Sequence, residues 1–132
     1  MNTRPLALLL GLGLLSACTP HGTPREPLLL ENQGQCPLHL SVGQAVTLSL
    51  PSNPSTGYRW LLQNPANGVL TALSPEVYSN PETAGLVGSA GRSQWRFKAS
   101  QAGSGHLLLM YQQPWAPEVK PVKTFDCDIE VR

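Results

Sequence analysis

Val122-Lys123-Thr124-Phe125-Asp126-Cys127-Asp128-Ile129-Glu130-Val131 closes the chain with its clearest periodicity. Phe125, Cys127, Ile129 and Val131 share one side, and Asp126, Asp128 and Glu130 share the other. Strict alternation of this kind marks a strand with one face in a core and one in water. Six segments upstream read the same way. Leu38–Val42 and Ala45–Leu50 alternate, and Tyr58–Gln63 and Val69–Leu73 follow. Gln94–Ala99 sets Trp95 and Phe97 on one face, while His106–Tyr111 is the unbroken apolar run of a central strand. No amphipathic helix of ten residues is present, and the 13 prolines are spread too evenly to permit many. The 132 residues suit one domain. The expected fold is all-β, an immunoglobulin-like antiparallel sandwich of about seven strands, with Trp60 and Trp95 in its core.

The same phase argument places two cysteines. Cys36 shares the parity of Leu38, Leu40 and Val42, opposite His39 and Ser41, and Cys127 lies on the apolar side of the last strand. Both sulfurs should point inward. An even pair in an exported chain suggests a disulfide between the first and last strands, with two buried free thiols as the alternative.

The start of the chain supports export. Arg4 precedes an apolar run, Leu6 to Leu15, that is too short to span a bilayer comfortably. It ends in Leu15-Ser16-Ala17-Cys18, which resembles a bacterial lipobox. Residues 1–17 therefore read as a lipoprotein signal peptide, and Cys18 as the lipidated residue. An ordinary secretory signal cut after Ala17 is the alternative. Residues 18–30 read as a polar, proline-rich tether and 31–132 as the domain. Without Arg4, the nine Lys and Arg fall to eight, against eight Asp and Glu, so the mature chain is neutral. It has no basic stripe for nucleic acid or an anionic membrane surface. Membrane attachment would come through acyl chains on Cys18. The expected location is the bacterial envelope, with Thr19 after the cysteine pointing to the outer membrane, facing periplasm or cell surface.

The connections divide into two kinds. Gly43-Gln44, Asn64–Gly68 and Ser100–Ser104 are tight. Pro51–Gly57, Tyr78–Arg92 and Gln112–Pro121 are longer and rich in Pro, Gly, Asn and Ser. If successive strands run antiparallel, the three long loops emerge together at one pole of the sandwich. In the first, Pro51 and Pro54 fix φ, Gly57 permits φ > 0, and Asn53 and Ser55 can bond nearby backbone. In the second, Gly85, Gly88 and Gly91 allow close backbone approach. In the third, prolines flank Trp115, which is either displayed as an interface anchor or folded back on the sandwich.

Three short motifs in these loops, taken in this order, carry a resemblance: Asn53-Pro54-Ser55-Thr56-Gly57-Tyr58, Gly88-Ser89-Ala90-Gly91 and Gln113-Pro114-Trp115. Together they resemble the binding loops of chagasin-type inhibitors of papain-like cysteine proteases, over roughly Leu38 to Val131. The resemblance implies that the first loop enters the protease cleft with Thr56 nearest the catalytic thiolate. Ser55 and Gly57 would flank it, and Trp115 would pack on an aromatic wall. Two departures stand out. Ala90 replaces a glycine, and Gln113 replaces an arginine common in the family, removing a charge that would pair with the protease.

Enzyme chemistry finds no footing. His21 lies in the tether, His39 on a solvent face and His106 at the start of a buried strand, none at metal-ligand spacing from another. Asp126 and Asp128 disfavour a Cys127 thiolate. The expectation is a monomeric inhibitor with no cofactor and no metal, whose partner is a papain-like protease of the cell itself, a host or a competitor. A structural or adhesive envelope lipoprotein, or an inhibitor of another enzyme such as lysozyme, are the alternatives.

Overall fold

The alternation that ends the chain becomes one of the two inner strands of a four-stranded sheet. The computed structural model describes residues 11–16, 25–80 and 91–132. Among these are eight strands: β1 (Leu28–Leu30), β2 (Leu38–Leu40), β3 (Ala45–Ser52), β4 (Arg59–Pro65), β5 (Leu70–Ser79), β6 (Gly91–Ala99), β7 (Gly103–Gln112) and β8 (Lys123–Val131). One sheet has the order β1-β3-β6-β5 and the other β2-β8-β7-β4. This is the immunoglobulin-like sandwich expected, with its first edge strand split between the two sheets. The core lies between them, where Leu30, Leu48, Phe97, Leu107 and Leu109 are fully buried. Trp60 and Trp95 are buried as their strand phases require.

Several boundaries differ from the sequence reading. Strand structure is already present at Leu28, ahead of residue 31. Leu28–Leu30 runs parallel to β3 in the register Leu28↔Val46, and Leu30 is fully buried, so these residues belong to the sandwich and not to the tether. Three successive leucines have no alternation, so nothing in their pattern marks a strand. Strand β2 stops at Leu40, and Val42 is exposed in the following turn. Strand β5 runs past Pro75 to Ser79, with register shifts on either side of Ser74. It is an edge strand, where proline costs no ladder bond and bulges absorb the misfit. Residues 1–10, read as the start of a signal peptide, and Cys18, read as the lipidated residue, lie outside the described residues.

Cys36 and Cys127 are bonded, with Cα atoms 5.4 Å apart. Cys127 is fully buried on β8, while Cys36 sits just ahead of β2, on the lead-in and not on the strand itself. Gln33 extends this seam by bonding the backbone of Asp126 on both sides. Its Oε1 accepts the Asp126 N–H at 2.8 Å, and its Nε2 donates to the Asp126 carbonyl.

On the outer face of β7, His106 places Nε2 2.7 Å from Asp126 and Nδ1 2.8 Å from Asp128. The Asp128 hydrogen bond, aided by both carboxylate charges and opposed by desolvation, holds the imidazole pKa above the usual 6.5. A raised folded-state pKa adds stability that is complete below the unfolded value and is lost as pH rises through the folded one. In an NMR titration, His106 is expected to lose its proton above pH 6.5. A midpoint below that value would show the two carboxylates do not hold the proton.

Candidate functional site

Residues 53–58 fold into a single tight turn because their side chains satisfy their own backbone. Pro54–Thr56 is one turn of 3-10 helix with Pro54 at its first position and Gly57 at its end, φ 81°. The Asn53 carbonyl accepts the Thr56 N–H at 3.2 Å and the Thr56 hydroxyl at 2.7 Å. Asn53 Oδ1 accepts from the Ser55 N–H at 3.3 Å and the Ser55 hydroxyl at 2.6 Å. Thr56 Oγ1 in turn accepts the Tyr58 N–H at 3.3 Å. Ser55 and Thr56 are exposed at the tip.

The β7–β8 loop is built from two successive turns. The Ala116 N–H bonds the Gln113 carbonyl at 3.0 Å, and the Val119 N–H bonds the Ala116 carbonyl at 3.1 Å. Pro114 and Pro117 occupy the second position of each turn, where their fixed φ is already correct. Trp115 therefore projects from a stiff corner. Its side chain is 69% exposed, yet one ring edge lies directly over Gly57. A Cβ at residue 57 would stand 2.2 Å from Trp115 Cη2. Of the two orientations open from sequence, the indole is displayed, and it is steadied by the neighbouring loop. Gln113 joins the same contact by donating from Nε2 to the Thr56 carbonyl at 3.4 Å.

The third connection is anchored beside the first. In the β1-containing sheet, Ser52 pairs with Gly91 and Ser79 with Arg92, so the ends of the β3–β4 and β5–β6 connections lie side by side. Gly91 itself begins β6 and is not in the loop. A Cβ there would sit 2.4 Å from the Ser79 carbonyl, so only glycine allows this approach. Gly88, Ser89 and Ala90 lie outside the described residues. The three long connections thus root at one pole. The unforeseen β1 precedes the first strand counted from sequence, so it shifts every index by one and leaves their relative parity intact.

Two residues not singled out from sequence support this pole. Arg92 donates Nε to the Ser49 hydroxyl and Nη2 to the Ser49 carbonyl, both at 2.7 Å, and pins β6 to β3 beside Gly91. Tyr111, next to last in β7, sets its ring against Tyr58 and Trp60, centroids 5.5 and 4.9 Å away. Its phase with Leu107 and Leu109 marks it as inward, and a buried phenol needs a partner. That signal is present in the sequence; the identity of the partner is not. Among the described residues, no group of His, Cys, Asp and Glu is arranged to hold a metal.

The model of the chagasin family of peptidase inhibitors, I42, matches residues 39–129. Chagasin of Trypanosoma cruzi is 30% identical over 83 residues, which span 59% of this chain and 73% of chagasin. Amoebiasin-2 of Entamoeba histolytica is 25% identical over 105 residues, 80% of this chain and 85% of that one. The crystal structure of the cysteine protease inhibitor EhICP2 from Entamoeba histolytica is similar in fold, with a TM-score of 0.69 and 24% identity. That likeness covers 81% of this chain and 96% of EhICP2.

Proposed function

The chain belongs to the chagasin family of peptidase inhibitors, and from that premise we propose that it is a reversible, competitive inhibitor of papain-like cysteine proteases. It is an inhibitor and not an enzyme. Its cleft-blocking surface comprises Asn53–Tyr58, Gly88–Gly91 and Gln113–Trp115. The observation that carries this reading is the exposed Thr56 tip, clasped by Gln113 and roofed at Gly57 by Trp115.

The geometry supports inhibition without cleavage. A cysteine protease attacks a carbonyl carbon on an extended peptide laid through its cleft. Here the tip is curled into a 3-10 turn, and three of its carbonyls are engaged internally. Asn53 O holds Thr56, Pro54 O holds the Gly57 N–H at 3.0 Å, and Thr56 O holds Gln113. To present a scissile bond in line, the loop would have to break these contacts. Because the loop is already ordered, docking costs little further entropy, and nanomolar binding, about 12 kcal/mol, is within reach of such a surface. Gln113 spends its amide on Thr56 and offers no cation to the protease, so recognition here rests on shape and apolar contact.

The same proposal places the protein on a bacterial envelope membrane, most simply the outer one, through lipid on Cys18 and as a monomer. The support is the Leu15-Ser16-Ala17-Cys18 sequence after an apolar run. The test uses the full chain expressed in a bacterium with intact lipoprotein processing and purified in detergent. Titration against papain is expected to reach full inhibition at one inhibitor per active site, with the inhibitor recovered uncut. The wild type is expected in the membrane fraction and the Cys18→Ser chain in the soluble one. A folded, oxidised chain that leaves papain active sinks the inhibitor reading, and an unchanged distribution of the Cys18→Ser chain sinks the anchor.

A further inference from the structure

Tyr111 stands where both described loops leave the sandwich. Its backbone carbonyl accepts the Val122 N–H at 3.0 Å, which closes the root of the loop carrying Gln113 and Trp115. Its hydroxyl accepts the Asn53 N–H at 2.9 Å, which closes the root of the loop carrying Thr56. The ring is buried against Tyr58 and Trp60, and the Lys123 ammonium lies 5.9 Å from its centroid. From Asn53 the contacts run without a gap to the tip, since the Asn53 carbonyl holds both the Thr56 N–H and its hydroxyl.

We infer that Tyr111 is a positioning residue for the inhibitory surface, fixing the pose of Thr56 through its hydroxyl and the root of the Trp115 loop through its carbonyl. The two loops then meet a protease as one body. The inference rests on the proposed inhibitory function and adds to it a residue that touches no protease. Its physical basis is that a side chain rooted in the core transmits the rigidity of the sheet to an exposed turn. Asn53 is only half-buried, so losing the acceptor of its N–H loosens the loop without unfolding the sandwich. A loosened loop must be re-ordered on docking, and that entropy is subtracted from affinity.

Tyr111→Phe is the decisive variant because it keeps the ring and its packing and deletes one oxygen. The full chain in detergent is compared with wild type by amide hydrogen exchange in the free state and by inhibition of papain. The Trp115→Ala and double variants are assayed alongside. Exchange at Asn53, Thr56 and Gly57 is expected to quicken several-fold while the β6 and β8 amides keep their protection. The inhibition constant is expected to rise about tenfold, the scale of one hydrogen bond. In the double variant the rise should fall short of the product of the single ones, because both substitutions act on one coupled unit. Unchanged loop exchange, an unchanged inhibition constant or strictly multiplicative effects each overturn the inference. Should the wild-type chain fail to inhibit papain, the inhibitor reading falls on its own, and the exchange comparison still decides whether Tyr111 holds this loop.

Discussion

Trp115→Ala raises the inhibition constant for papain at least about thirtyfold, equivalent to about 2 kcal/mol, if the indole anchors the complex. Three observations set this size. The side chain is 69% exposed in the free chain, so its apolar surface is available to a partner. The Gln113–Ala116 turn with Pro114 in its second position, together with the contact over Gly57, already holds it in place, so little rotamer entropy remains to be lost. Its neighbour Thr56 is the tip that would enter the cleft, which puts the indole near the centre of the footprint and not at its rim. The loss should fall mainly on the dissociation rate. Gly57→Ala attacks the same contact from the opposite side. Its methyl would occupy the space of the indole, at a φ of 81° that alanine tolerates poorly. It is expected to weaken inhibition with Trp115 still present. A change below threefold for Trp115→Ala would show that the indole is a bystander.

Replacing Cys36 and Cys127 together by serine is expected to cost about 4–5 kcal/mol of stability, read as a lower midpoint in guanidinium unfolding. The bond closes a loop of 91 residues, nearly the whole domain, and so removes much freedom from the unfolded chain. It is also one of few ties on its segment. Strand β2 meets β8 through only three residue pairs, Leu38↔Ile129, His39↔Glu130 and Leu40↔Val131. The Gln33 side chain adds its two bonds to Asp126 next to the bridge. A loss below about 1 kcal/mol would mean that these hydrogen bonds hold the seam and that the crosslink adds little. The variant also separates folding from function, because the inhibitory pole involves neither cysteine.

Strands buried on one face are legible in the sequence itself. β8 and β6 alternate because one side packs on the opposing sheet, and β7 buries by the same alternation, with Leu107, Leu109 and Tyr111 in the core and Leu108 and Met110 half-buried within one apolar run. Parity places Cys127 inward, and a count of connections brings three loops to one pole. The sites where this reading fails share a cause. β1 is a three-residue parallel edge with no alternation to display, and β5 continues through Pro75 because an edge tolerates a missing N–H. Local pattern records which face is buried; it does not record what lies alongside an edge.

The binding loops divide along the same line. Composition alone marks 53–58 and 113–115 as stiff turns, since proline, glycine and asparagine set φ and bond their own backbone irrespective of the rest of the chain. The meeting of those turns could only be decided by the tertiary structure. Trp115 over Gly57, Gln113 on the Thr56 carbonyl and the Tyr111 hydroxyl on the Asn53 N–H join residues some 57 or 58 positions apart. The first two exist because β4 pairs with β7 in one sheet, Arg59 opposite Gln112, and the third because that sheet packs on the one containing β3; no segment on either side carries a trace of the other.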